Sequence, residues 1–329
     1  MKDNKKHDMI FLNKEDISNS LSYEELMESI ESAYKAYSEG RYKMPLRLHA
    51  DMDDNTLLLM PCINDQGFGT KVLSVFPNNK AIGKPVIDGI MIVNDLTTGE
   101  PKAIMDAKIV TALRTGAVGG VAIKHLSREE ADSVGVIGAG VQGFYQAIYA
   151  SVVRKVKTLW IYNRSMNSLD NFVDELYKRI SYAINIKVAN NVEELLLNSE
   201  IVITATTSNE PVIPDNPDLI KGKCFIGIGS FKPNMREFPE SLFKLCQNIY
   251  VDTEHALHES GDIMTPIKEG WIMENNVSLF GDFLKSKDNK VGDTVLFKSV
   301  GMALFDLFVS QKIFELAKKK NIGQKISCD

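Results

Sequence analysis

Three glycines, Gly138, Gly140 and Gly143, stand in the spacing G-x-G-x-x-G within Gly138-Ala139-Gly140-Val141-Gln142-Gly143. A β-rich apolar run, Val134 to Ile137, precedes them, and a helical pattern opens near Val141. In that strand-turn-helix setting the first glycine permits a tight turn, the second lets the main chain approach a pyrophosphate, and the third allows close packing of helix on strand. The N-terminus of the helix would add N–H groups aimed at the anion. A glycine turn that binds nothing is the competing reading, and the flanking strand and helix weigh against it. The expected ligand is a nicotinamide dinucleotide and the expected chemistry hydride transfer.

The next strand of such a unit normally ends in the residue that reads the adenosine ribose, and an acid there favours the free 2′-hydroxyl of NAD. Here the strand ends Tyr162-Asn163-Arg164-Ser165 with no carboxylate. Arg164 and the Ser165 hydroxyl could hold a 2′-phosphate through charge-assisted hydrogen bonds, so NADP is expected over NAD, with NAD still possible. A solvated arginine at a strand end is the alternative.

These residues need a scaffold, and the chain supplies two patterns. Up to about residue 114 it carries a helix, Ser22 to Tyr37, with a Ser22/Glu25 capping-box pattern and a Gly40 stop. Strand-like runs follow at 56–60, 71–76, 89–95 and 101–105 with no helices between them, which suggests an antiparallel or mixed sheet. A helix rich in small residues, 109–126, leads to a different rhythm. The β-rich runs 134–137, 158–162, 201–204 and 224–228 alternate with helical stretches, as in a doubly wound parallel sheet. The expected fold class is α/β, a Rossmann-type dinucleotide domain over 115–301 beside an α+β domain over 1–114. The last helical pattern, 302–320, follows the alternation and returns to complete the first domain with about 302–329.

Composition bounds the function. The 329-residue chain carries a formal net charge of −5, which gives no general attraction to nucleic acid or anionic lipid. No apolar run approaches a membrane span, and the polar N-terminus lacks the apolar core of a signal peptide, so the reading is a cytoplasmic protein. Cys62, Cys224, Cys246 and Cys328 are too few and too scattered for a disulfide scaffold and read as reduced thiols. His255 and His258 lie three apart, yet no third ligand is evident, and no metal is expected.

The order of motifs resembles the ornithine cyclodeaminase and mu-crystallin family, which includes ketimine reductases and an alanine dehydrogenase branch. The resemblance rests on Met44-Pro45-Leu46-Arg47, Met60-Pro61, Lys71-Val72 with Phe76-Pro77-Asn78, Asp95 with Gly99-Glu100-Pro101, Thr111-Ala112-Leu113-Arg114-Thr115, the glycine motif, and Phe297-Lys298-Ser299-Val300-Gly301. It implies a homodimer in which both chain ends build the substrate and dimerisation domain. It implies that Arg47 and Arg114 hold a substrate carboxylate and that Lys71 sits beside the reacting carbon. Guanidinium forks suit a carboxylate, and an ammonium beside an imine nitrogen can donate a proton as hydride arrives. Without the resemblance each of the three would pass as a surface charge. The resemblance also places Thr115 and Gln142 near the cofactor phosphates and Thr204 to Thr206 beside the nicotinamide, although the threonines could be ordinary turn residues.

One departure bears on the substrate. Cyclodeaminases carry an aspartate in a run resembling G-D-C-P-G-K, where this chain has Gly229-Ser230-Phe231-Lys232-Pro233-Asn234-Met235 with Phe231 at the aspartate position. A phenyl ring cannot manage the δ-amine of ornithine, unless Glu237 or Asp252 has taken over. The expectation is therefore an NAD(P)H-dependent reductase of cyclic imino acids, with the substrate already cyclised or apolar at its far end. An ornithine cyclodeaminase or amino-acid dehydrogenase comes next, and a non-catalytic NADPH-dependent binding protein third.

Overall fold

The computed structural model describes residues 8–165, 169–286 and 290–328. The chain divides into two compact units, Met1–Arg114 with Met302–Asp329, and Thr115–Gly301. The division falls inside one helix, Ala107–Leu126.

In the first unit a mixed eight-stranded sheet runs in the order Gln324–Ser327, Asp8–Leu12, Pro101–Asp106, Ile87–Asp95, Gly67–Val75, Asn55–Asn64, Tyr42–Lys43, with Leu48–Met52 also pairing along Asn55–Asn64. Asp8–Leu12 pairs parallel with Pro101–Asp106, and the other pairings are antiparallel. Both chain ends thus meet in this sheet, where Asp8 faces Ser327.

Period-two alternation assigns the two faces. One row joins Met60, Lys71, Met91 and Met105 across neighbouring strands, and all four are buried. The helix Ala303–Lys320 covers that face, and Tyr23–Ser38 packs on the same helix. At Gly69 an added Cβ would come within 3.1 Å of Leu307 Cδ1, so the missing side chain admits the helix close to the sheet. Asn64 and Gln311 clamp it there with two mutual side-chain hydrogen bonds of 2.8 and 3.0 Å. The helix Tyr23–Ser38 starts at Ser22, whose hydroxyl accepts from the Glu25 N–H, and Gly40 at φ 66° ends it.

In the second unit eight strands pair in parallel throughout, in the order Asn185–Val188, Thr158–Tyr162, Ser133–Ile137, Ile201–Thr204, Cys224–Gly227, Val295–Lys298, Asn248–Val251, Val277–Leu279. Counted along the unit this begins 3-2-1-4-5, the doubly wound order whose direction of winding reverses between Ser133–Ile137 and Ile201–Thr204. Gly116 and Gly119 lie hard against Tyr149 and Gln146, where a Cβ would approach to 2.5 and 1.8 Å. That is how two helices of this unit cross closely.

Among the described residues no helix is long and apolar enough to cross a membrane.

Candidate active site

Lys71 is a buried cation of the first unit, with 1% of its surface exposed. Strand alternation turns it inward, and the helix Ala303–Lys320 brings Asp306 to meet it, Nζ to Oδ2 at 2.6 Å. The second carboxylate oxygen, Oδ1, accepts from Arg114 Nε at 3.1 Å. Arg114 is also buried. Arg47 precedes the strand Leu48–Met52 and is half-buried, and its charge reaches the same ammonium. Two cations therefore share one carboxylate, and the charge of a third acts on the ammonium.

Burial drives the Lys71 pKa down to about 8, against the pull of Asp306 and with help from Arg114 and Arg47. An amine poised there can give or take a proton near neutral pH.

Asp306 was not among the residues that spacing singled out. Its signal was present, since it is a lone acid in the run Met302-Ala303-Leu304-Phe305-Asp306-Leu307-Phe308, all of whose other members are apolar. A carboxylate in such a stretch is buried only when paired.

The second unit carries the glycine turn. Gly138 sits at φ 107°, and a Cβ there would meet the Ala205 carbonyl at 2.6 Å. A Cβ at Gly143 would lie 1.9 Å from the Gly138 carbonyl oxygen, so helix and turn touch through bare backbone. Gly140 is the opposite case, because a Cβ there would point into open space. It is also the N-cap of the helix Val141–Val153, and no side chain caps the N–H groups that follow. An uncapped helix N-terminus with room in front of it fits a phosphate.

In the same unit, Thr115 Oγ1, Gln142 Oε1 and Thr204 Oγ1 are buried without hydrogen-bond partners. Orphaned polar atoms of this kind suit the polar groups of a dinucleotide. Asn163 ties the adjoining strand end to the turn, accepting from the Ala139 N–H at 3.2 Å and donating to the Ser165 carbonyl at 2.7 Å. Arg164 and Ser165 are exposed, and no carboxylate shares that strand end.

Thr206 is committed elsewhere. Its N–H and its hydroxyl both donate to Glu237 Oε1 at 2.8 Å, while the N–H groups of Gly229 and Ser230 donate to Glu237 Oε2 at 3.0 and 3.1 Å. Glu237 thus staples the loops that follow two adjacent strands. Lys298 Nζ lies 3.7 Å from it and 3.1 Å from Asp262 Oδ2, the latter an ion pair without hydrogen-bond alignment. Burial raises the Glu237 pKa, and Lys298 opposes the rise. Asp252 likewise holds backbone, accepting from Ser299 Oγ, Val300 N and Gly301 N.

Both acids that could have replaced the missing aspartate are fully buried and spent on fixing loops. Phe231 is 45% exposed and stays clear of the core, with the Lys232 ammonium 5.8 Å from its ring centre. His255 occupies the N-cap position of the helix Ala256–Glu259, without a side-chain capping bond, and His258 lies within that helix. No group of three or more metal-ligating side chains occurs among the described residues.

Comparison with known proteins gives this geometry a family. The family model described as ornithine cyclodeaminase/mu-crystallin matches residues 7–321. A Delta(1)-pyrroline-2-carboxylate reductase of Bacillus thuringiensis subsp. konkukian is 33% identical over 97% of this chain and 99% of its own. The solved structure of the Thermococcus litoralis Delta(1)-pyrroline-2-carboxylate reductase, in complex with NADH and L-proline, superposes with a TM-score of 0.87 at 31% identity over 97% of this chain and 100% of that one. An archaeal alanine dehydrogenase dimer with bound NAD gives 0.88 at 28% identity over 98% and 100%. The chain belongs to the ornithine cyclodeaminase/mu-crystallin family.

Proposed function

We propose that this protein is an NAD(P)H-dependent reductase of cyclic imino acids, taking a five- or six-membered ring imine that carries a 2-carboxylate, such as pyrroline-2-carboxylate or piperideine-2-carboxylate. The observation that carries the reading is the buried Lys71 ammonium beside Arg114, with Asp306 bridging the two. The similarity to pyrroline-2-carboxylate reductases supports it.

The reaction adds a hydride to the imine carbon and a proton to the imine nitrogen. A bound nicotinamide dinucleotide supplies the hydride. Lys71 supplies the proton, directly or through a water, and is left as the neutral amine that its lowered pKa permits. Arg114 and Arg47 grip the carboxylate and so orient the ring, and that fixed orientation removes much of the entropic barrier. Thr115, Gly138, Gly140, Gln142, Gly143 and Asn163 would hold the dinucleotide backbone, with Thr204 and Thr206 beside the nicotinamide. Thr206 would act there through its position, since its hydroxyl proton goes to Glu237. Arg164 and Ser165 favour NADPH over NADH because they offer donors and no carboxylate.

Ring closure of ornithine is disfavoured. The acid it needs is replaced by Phe231, and the two acids that could have taken over, Glu237 and Asp252, are occupied by backbone N–H groups.

The working unit in this reading is a homodimer. The row Leu48, Leu59, Val72, Ile90 crosses four strands on the face of the sheet opposite Lys71, and Leu48 and Ile90 are exposed. An apolar row of this kind is what a second copy would cover.

The test pairs two assays on one preparation. Pyrroline-2-carboxylate or piperideine-2-carboxylate should drive NADPH oxidation, and ornithine with NAD should yield no proline or ammonia. The reverse outcome, ornithine turned over and neither cyclic imine reduced, would reject the proposal.

A further inference from the structure

We propose that Asp306 is the positioning residue of the reductase site, its single carboxylate aiming both the Lys71 ammonium and the Arg114 guanidinium. The inference deepens the imine-reductase reading and rests on it.

The geometry divides the labour between two oxygens. Oδ2 takes Lys71 Nζ at 2.6 Å, and Oδ1 takes Arg114 Nε at 3.1 Å. Engaging Nε leaves the terminal nitrogens Nη1 and Nη2 as the fork that faces a substrate carboxylate. One rigid group therefore sets the spacing between the proton donor and the carboxylate grip, and that spacing must match the distance between imine nitrogen and carboxylate in the substrate.

Asp306 is itself held firmly. It lies in the first turn of the helix Ala303–Lys320, where the helix dipole favours an anion, and the Asn64–Gln311 clamp and the close approach at Gly69 fix that helix on the sheet. The charged and titratable groups around the ammonium are Asp306, Arg114, Arg47 and the Cys62 thiol, which burial and the Asp306 charge push up to about 12.

Asp306 is the one group there that favours the protonated lysine, since burial, Arg114 and Arg47 all oppose it. Without it every remaining influence on Lys71 would favour the neutral amine, which cannot donate.

The test compares Asp306→Asn, Asp306→Glu and Lys71→Ala with the wild type. In the asparagine variant the alkaline limb of the reduction profile should move at least one pH unit toward acid, and KM for the cyclic imine should rise tenfold or more. The Lys71 Nζ titration, followed by nitrogen NMR without cofactor, should move with the limb. An unmoved limb and an unmoved titration would overturn the proposal.

If Asp306→Asn does not fold, Asp306→Glu decides. The glutamate keeps the charge on a longer stem, so the limb should stay in place while KM still rises several-fold, and a wild-type KM would overturn the positioning role. Wild-type turnover and Lys71→Ala together separate the two levels. Wild-type protein that reduces neither cyclic imine rejects the reductase reading itself. Full turnover by Lys71→Ala removes Lys71 as the proton donor and this inference with it, and an inactive Lys71→Ala beside an unmoved Asp306→Asn limb rejects only this inference.

Discussion

The Lys71 ammonium and the Asp306 carboxylate meet at 2.6 Å although 235 positions separate them in the chain. The contact joins the middle of a sheet to the first turn of the helix that follows the dinucleotide domain in sequence. It favours the protonated form of Lys71, the proton donor in the proposed reaction.

That charge state predicts the pH dependence. Lys71 is lowered to about 8, so it is protonated below that value and neutral above it. Reduction needs the ammonium as acid, and its kcat/KM should be level below pH 8 and fall tenfold per unit well above it. Oxidation of the cyclic amino acid needs the neutral amine as base and should rise through the same pH. Stability moves in the second sense. The unfolded chain binds more protons than the folded one between about pH 8 and the ordinary lysine value near 10.4, so this group makes folding more favourable as pH climbs through that window. Initial rates in both directions at saturating cofactor check the first point, and parallel limbs in the two directions would contradict it.

The glycine turn makes a second, internally controlled prediction. Gly143→Ala sets a methyl 1.9 Å from a backbone oxygen, and Gly138→Ala places a side chain at φ 107° against another carbonyl. Each should destabilise the protein, by about 1–3 kcal/mol from backbone strain alone at Gly138. Gly140→Ala meets nothing in the structure and should melt within a degree or two of wild type. It should nevertheless weaken dinucleotide binding at least tenfold, because its methyl fills the space that the pyrophosphate needs. Thermal melts beside fluorescence titrations with NADPH separate the two effects. A Gly140→Ala protein that binds normally would place the pyrophosphate elsewhere.

How far the sequence led depends on whether a feature was local. The strand Val134 to Ile137, its glycine turn and its helix are written in consecutive residues, and so is the alternation of the second unit. The small-residue helix was legible for the same reason, as Gly116 and Gly119 have no purpose in a helix unless another backbone comes close. Strand-forming segments with little apolar periodicity were not legible. Leu48-His49-Ala50-Asp51-Met52 is exposed along its whole length and carries no buried face to mark it. Gln324–Ser327 finds its strand partner in Asp8–Leu12, and Asp8–Leu12 finds its other partner in Pro101–Asp106, so both depend on pairings distant in sequence. The site divides in the same way. Lys71 and Arg114 could be named, but their connection could not, because it needs a partner from the far end of the chain. Glu237 shows the converse, since spacing allowed it a catalytic role and the fold surrounds it with backbone N–H groups.

Cofactor preference follows from the strand end at Tyr162-Asn163-Arg164-Ser165. Arg164→Ala removes the one cation there and should raise KM for NADPH about tenfold or more, while leaving KM for NADH within twofold, as a charge-assisted contact contributes about 1.5–3 kcal/mol. Asn163 needs separate treatment because it anchors the Ala139 N–H, and its loss should weaken both cofactors alike. Steady-state kinetics with each nucleotide checks this. Equal or better turnover of wild-type protein with NADH at matched concentrations would reverse the preference and leave Arg164 a solvated side chain.

The outer face of the first sheet carries the last prediction. Leu48, Leu59, Val72 and Ile90 form a continuous apolar row on the side of the sheet away from Lys71, at positions where alternation would place polar residues if water covered them. Leu48 and Ile90 are exposed at 52% and 38%, so changing them leaves the core of the protomer untouched. The double variant Leu48→Lys/Ile90→Lys should therefore keep the wild-type circular dichroism. It should also dissociate, since each large apolar side chain removed from an interface forfeits about 1.5–3 kcal/mol, roughly ten- to a hundredfold in the dimer constant, before any cost of burying the new charges. Sedimentation velocity over a range of concentrations reads the result. Wild-type protein that is already monomeric, or a double variant that stays dimeric, would mean that this face is not where two copies meet.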